Sequence, residues 1–186
     1  GIFVKMTLDS SGAKFLGLLT SHVLSAVDLA PGNVLIAKNE FIKEELRLVL
    51  DDSRFMFSCP LLGLTLIEIG RTEVDSCVQF IPIPFTKANR NDRLLLVRSR
   101  YGHLIKHPTV VRDTYGFELR CDVTDTNFQS GLIFDNAGVL HGIITGMDNN
   151  VYKAQDLFYL SFAIKQLIEN DLMSPQFTIG NPRVLR

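Results

Sequence analysis

The chain has 186 residues, 46% of them hydrophobic and 21% charged, with 19 basic against 20 acidic residues and a formal net charge of −1. That is long enough for one domain with a sizeable core and ordinary for a globular protein. The balanced, interspersed charge leaves no whole-chain footprint for nucleic acid or an anionic membrane, so neither is expected as a partner.

In chain order, the dominant signal is short apolar runs of strand length, punctuated by Gly, Pro, Asn and Asp. Strands are predicted over Ile2 to Leu8, Lys14 to Thr20, Asn33 to Ala37, Leu46 to Leu50, Leu64 to Ile69, Arg93 to Arg98, Gly116 to Cys121, Gly131 to Phe134 and Val139 to Thr145. Turn chemistry lies between them, as at Asp51-Asp52-Ser53 and Asp135-Asn136-Ala137-Gly138. A spacing of roughly 10 to 15 residues without long intervening helices predicts a barrel or sandwich. Phe41 to Arg47 is ambiguous between helix and strand, whereas Phe162 to Leu172 has the apolar spacing of one helical face. The segment from Met173 reads as an extended tail. The apolar trio Phe55, Met56 and Phe57 is expected in the core.

Three cysteines, Cys59, Cys77 and Cys121, are odd in number and widely spaced. That spacing disfavours a disulfide framework and a zinc site, and a reducing, intracellular setting is the expectation. No Gly-rich phosphate loop, HExxH or EF-hand pattern occurs, so no cofactor or metal is expected. The chain opens on Gly1, which reads as a processed product or an excised domain, and no apolar run approaches the roughly 20 residues of a membrane span.

Three segments carry a family resemblance. An apolar strand ends in Thr20-Ser21-His22-Val23, LGLTLIEIG runs from Leu62 to Gly70, and TDTNFQSGLIFDNAGVLHGIITG runs from Thr124 to Gly146. In this order they resemble the chymotrypsin-like serine proteases, most of all the HtrA/Deg branch, and Ser161-Phe162-Ala163-Ile164 echoes that branch's closing segment. The resemblance covers about Ile2 to Leu172. It implies an all-β fold of two six-stranded antiparallel barrels with a C-terminal helix. The barrels are expected near residues 1–85 and 92–160, with the helix at 162–172 and a tail at 173–186.

Carried over, the resemblance puts His22 at the general base; His103, His107 and His141 fall outside the motifs. Gly63 occupies the acid position, where nothing can orient an imidazole, and loss of that acid typically costs about 10⁴ in rate. Asp28, Asp51 and Asp52 are conceivable substitutes, although turn aspartates usually cap their own turns. Around the nucleophile the chain is about two residues short, so Ser130 is in place only if the deletion is split. Gln129 replaces the glycine whose freedom the oxyanion turn needs, leaving Gln129 and Gly131 as remnant oxyanion positions.

The leading expectation is therefore a catalytically degenerate protease-like domain that binds a protein or peptide, by strand addition along an edge such as Gly142 to Met147. The alternatives are an active intracellular serine endopeptidase with an atypical acid, and an unrelated β-sandwich adaptor. A homo-oligomer, or membership of a larger polypeptide, stays open.

Overall fold

The computed structural model describes residues 1–7, 14–38, 45–76, 78–100, 103–123 and 130–169. The chain divides into two compact units, Gly1–Phe80 together with Lys165–Arg186, and Ile81–Ile164.

The first unit contains β1 (Ile2–Thr7), β2 (Lys14–Thr20), β3 (Val34–Lys38), β4 (Glu45–Val49), β5 (Met56–Cys59) and β6 (Leu64–Glu68), followed by a 3₁₀ turn at Arg71–Glu73. Strands β5, β6, β2 and β1 lie in that order in one sheet, while β3 and β4 pair as a separate hairpin. Both contribute to one core. Leu48 and Leu50 are buried with Leu18, Met56 and Ile67, and Leu35, Ala37 and Leu46 pack against them. The alternation of β4, with Leu46 and Leu48 inward, settles the ambiguous LRLVL run as a strand: period two wins over the helical spacing. Met56 and Phe57 are buried, and Phe55 meets Phe15 edge to face.

The second unit starts with the two-residue β7 (Ile81–Pro82) and builds β8 (Arg93–Arg100), β9 (His103–Tyr115), β10 (Glu118–Asp122), β11 (Leu132–Phe134), β12 (Leu140–Asp148) and β13 (Val151–Asp156). Six of these close into a barrel in the order β10-β13-β12-β11-β8-β9. Its centre is filled by Leu96, Val111, Leu119, Ile133, Tyr152 and their neighbours. The predicted all-β class with a closed six-stranded barrel and a C-terminal helix is therefore the observed one.

Helix α1 (Leu157–Glu169) begins five residues before the stretch read as helical. The reason is its cap: Asp156 Oδ1 accepts a hydrogen bond from Phe158 N at 3.1 Å, satisfying one of the free donors of the first turn. Its buried stripe is Leu157, Leu160, Ser161 and Ile164, at the i, i+3, i+4, i+7 spacing, which leaves Phe162 on the exposed side. The predicted tail lies outside the described residues.

Candidate functional site

His22 follows the last residues of β2, in a segment fastened from below. The buried Thr65 of β6 donates its hydroxyl to the His22 carbonyl at 2.9 Å and accepts the Leu24 N–H at 2.9 Å. Ser58 of β5 shares a 2.9 Å hydroxyl contact with Thr65 and donates to the Leu24 carbonyl at 3.0 Å. Two neighbouring hydroxyls thus hold the backbone of residues 22–24 while the His22 side chain stands exposed.

Gly63 closes the turn between β5 and β6, donating its N–H to Pro60 O at 3.1 Å with φ of 64°. Glycine adopts this left-handed backbone without a Cβ penalty, so the residue at the acid position answers a requirement of the turn. The substitute aspartates have local duties. Asp28 Oδ2 accepts the N–H and hydroxyl of Ser25, and Asp51 Oδ1 accepts Ser53 N, Ser53 Oγ and Arg54 N. Those serine hydrogen bonds hold both carboxyls below their ordinary range.

Ser130 is exposed at the threshold of β11 in the second unit. Gly131 is bound into the barrel: its carbonyl accepts Ile144 N at 2.9 Å, and a Cβ on it would come within 3.0 Å of both Leu96 Cδ1 and Val97 O. Close strand packing is thus sufficient reason for glycine there. Gln129 and the approach from Thr124 lie outside the described residues. His22 and Ser130 belong to different units and are described each in its own.

Sequence reasoning passed over a second constellation, in the β11–β12 hairpin. The β12 register slips between Ile133↔Gly142 and Phe134↔Leu140, which leaves His141 as the bulged residue. The bulge brings His141 Nε2 to 3.3 Å from Asp135 Oδ2, while Asp135 Oδ1 accepts Ala137 N at 2.8 Å and Val139 N at 2.9 Å. Burial raises the Asp135 carboxyl, but these donors outweigh it and hold the group below its ordinary value. Across from Gly142 lies Asp156, 1% exposed, with Oδ2 lacking a hydrogen-bond partner. Burial raises its pKa against the opposing influence of the Phe158 N–H, Lys87 and His141. The DNAG turn was legible as a hairpin signal; a bulge two residues further on has no such signature.

Because folding leaves Asp156 more protonated than the unfolded chain, stability falls as pH rises above the ordinary value of 3.8 and through the raised folded value. Asp156→Asn keeps a capping oxygen and removes the buried charge. It is expected to stabilise the protein by about 1 kcal/mol at neutral pH, with the gain vanishing at the acid end. Urea midpoints from pH 3 to 8 measure it; an equal difference at every pH would refute the ionisation account.

Cys59 and Cys121 are buried free thiols, and burial together with the Asp122 and Asp156 charges pushes Cys121 up to about 12. Neither is an activated nucleophile. Cys77 lies outside the described residues. Among the described residues no group of three or more His, Cys, Asp or Glu side chains could hold a metal ion, and no helix is long and apolar enough to cross a membrane.

No family model matches the chain, and no curated protein matches it in sequence. Solved structures similar to it are chymotrypsin-like serine and cysteine proteases. A catalytically inactive tobacco etch virus protease complexed with substrate is 11% identical over 92% of this chain and 83% of its own, at a TM-score of 0.48. A serine endoprotease from Yersinia pestis is 14% identical over 86% of this chain and 58% of its own, at 0.49. Kallikrein-related peptidase 10 with Zn2+ is 12% identical over 57% of this chain and 65% of its own length, at 0.43.

Proposed function

We propose that this chain is a catalytically degenerate, protease-like domain that binds an extended peptide along β12. The observation that carries the reading is an open edge. Strand β11 pairs with β12 through Leu140, Gly142 and Ile143, while β13 accompanies β12 as far as Asp148. Among the described residues, Thr145–Asp148 therefore has a strand on one side only. Such an edge offers main-chain donors and acceptors to an added strand, and this mode of binding needs no catalytic group. Loss of catalysis is supported by Gly63 serving a turn and by Asp28 and Asp51 being committed to their own caps.

The test has two parts. A fluorophosphonate probe should leave the folded protein unlabelled; labelling abolished by both Ser130→Ala and His22→Ala would instead establish an active serine endopeptidase. Peptides selected from a random library should then bind with a period-two response to backbone N-methylation, since only alternate N–H groups of an added strand face the domain. A flat N-methyl scan would overturn strand addition along β12.

A further inference from the structure

Residues 93–112 contain five of the chain's 19 basic residues (Arg93, Arg98, Arg100, Lys106 and Arg112), two of its four histidines, and no aspartate or glutamate. The remainder holds 14 basic against 20 acidic residues, so the near-neutral total averages a basic segment with acidic surroundings. Asymmetry of this kind is a signal that net charge conceals.

The fold keeps the segment together. Strands β8 and β9 pair continuously from Arg93↔Val110 to Arg100↔His103. Pairing of β11 with β8 ends at Val97, and pairing of β10 with β9 begins at Val111. Among the described residues, the part of β8 beyond Val97 and the part of β9 before Val111 thus have only each other, forming a two-stranded ribbon beyond the barrel's other strands. Pro108 fits there, because a residue without an N–H is tolerated where one flank is unpaired.

Charge is carried on both faces of the ribbon. Arg98 faces Ile105 across the pair, and His103 and His107 share that face by period-two alternation. Lys106, opposite Val97, projects on the other face with the exposed Leu104. His103 and Lys106 are exposed. At the barrel end the charge is answered: Arg112 Nε meets Asp122 Oδ1 at 2.8 Å.

We propose that this ribbon is a docking element for duplex nucleic acid, seated in the major groove with phosphates on either side. A two-stranded β-ribbon is one of the few protein elements that the roughly 12 Å major groove of a B-form duplex admits. Cations on both faces suit an occupant with two phosphate rows. A flat anionic bilayer would meet one face alone, and the ribbon offers it a single exposed apolar anchor, Leu104. The contacts are to phosphate, so binding should be insensitive to sequence and strongly dependent on salt.

Fluorescence anisotropy with a labelled 20-base-pair DNA duplex tests this on the full chain. Three or four phosphate contacts predict a log–log salt slope of about −3, and a loss of affinity of about 100-fold between 50 and 200 mM salt. Lys106→Gln, at an exposed position, should weaken binding at 50 mM salt roughly 10-fold and reduce the slope by about 1. The double variant Arg98→Gln/Lys106→Gln should weaken it further. Lys38→Gln, in the other unit, should leave binding unchanged. No binding at 50 mM salt would overturn the proposal, as would equal losses in Lys38→Gln and Lys106→Gln. Equally tight capture by poly-glutamate or by phosphatidylserine vesicles would also refute it.

Discussion

Replacing Arg54 with alanine is expected to destabilise the first unit by about 3 kcal/mol, the usual cost of removing one partner from a desolvated ion pair. The Arg54 side chain is only 11% exposed. Its Nε donates to the Val49 carbonyl at 3.1 Å, and Nη1 donates to the Glu68 carbonyl at 2.7 Å. Both terminal nitrogens reach the Glu73 carboxylate, whose Oε2 also accepts Gly70 N at 2.7 Å. One planar fork thereby ties the ends of β4 and β6 to the 3₁₀ turn, with the directional donors that guanidinium supplies and ammonium does not. Arg54→Lys should therefore recover less than half of the loss. Its hydrogen bond to Arg54 holds Glu73 below the ordinary carboxylate range, so this part of the stability is present above pH 4.5 and is lost as pH falls below it. Urea unfolding followed by circular dichroism at pH 7 measures the effect; a shift below about 0.5 kcal/mol would show the network to be a surface pair of little consequence.

Period and turn chemistry made most of the strands legible. The run Lys14–Thr20 was bounded as it stands in the structure, because a polar turn precedes it and a Thr-Ser pair follows. The longest strand, His103–Tyr115, was passed over. Its sequence HLIKHPTVVRDTY interrupts apolar positions with Lys, His and Pro, which a ribbon with few neighbours tolerates and a central strand would not. At the site, the sequence identified His22, Gly63 and Ser130 as the positions to inspect, and the turn geometry supplies a backbone reason for Gly63. It was silent on Asp135, His141 and Asp156, since their meeting depends on a register slip and on cross-strand pairing. It was equally silent on the ribbon, because net charge is a property of composition and a patch is a property of pairing.

The second large effect is expected at that register slip. Asp135→Ala should cost the second unit about 2 to 3 kcal/mol, because three donors lose one acceptor group and one of them, on His141, is largely buried. Two of the bonds belong to the Asx-type turn that sets the hairpin register, and the third ties the bulged residue back to the turn. Asn at this position can still accept from Ala137 and Val139, so Asp135→Asn should retain about half of the stability lost by the alanine variant. The pH dependence separates charge from shape. A carboxyl held below 3.8 in the folded state contributes stability above that pH, and the contribution is lost as pH falls through the folded value. The gap between wild type and Asp135→Ala should therefore narrow below about pH 4, whereas the gap between Asp135→Asn and Asp135→Ala, which compares two uncharged residues, should stay constant across that range. Thermal melts of the three proteins from pH 2.5 to 7 decide it. If both gaps narrow together, acid is acting on the hairpin through some other group, and the turn is held by its backbone bonds alone.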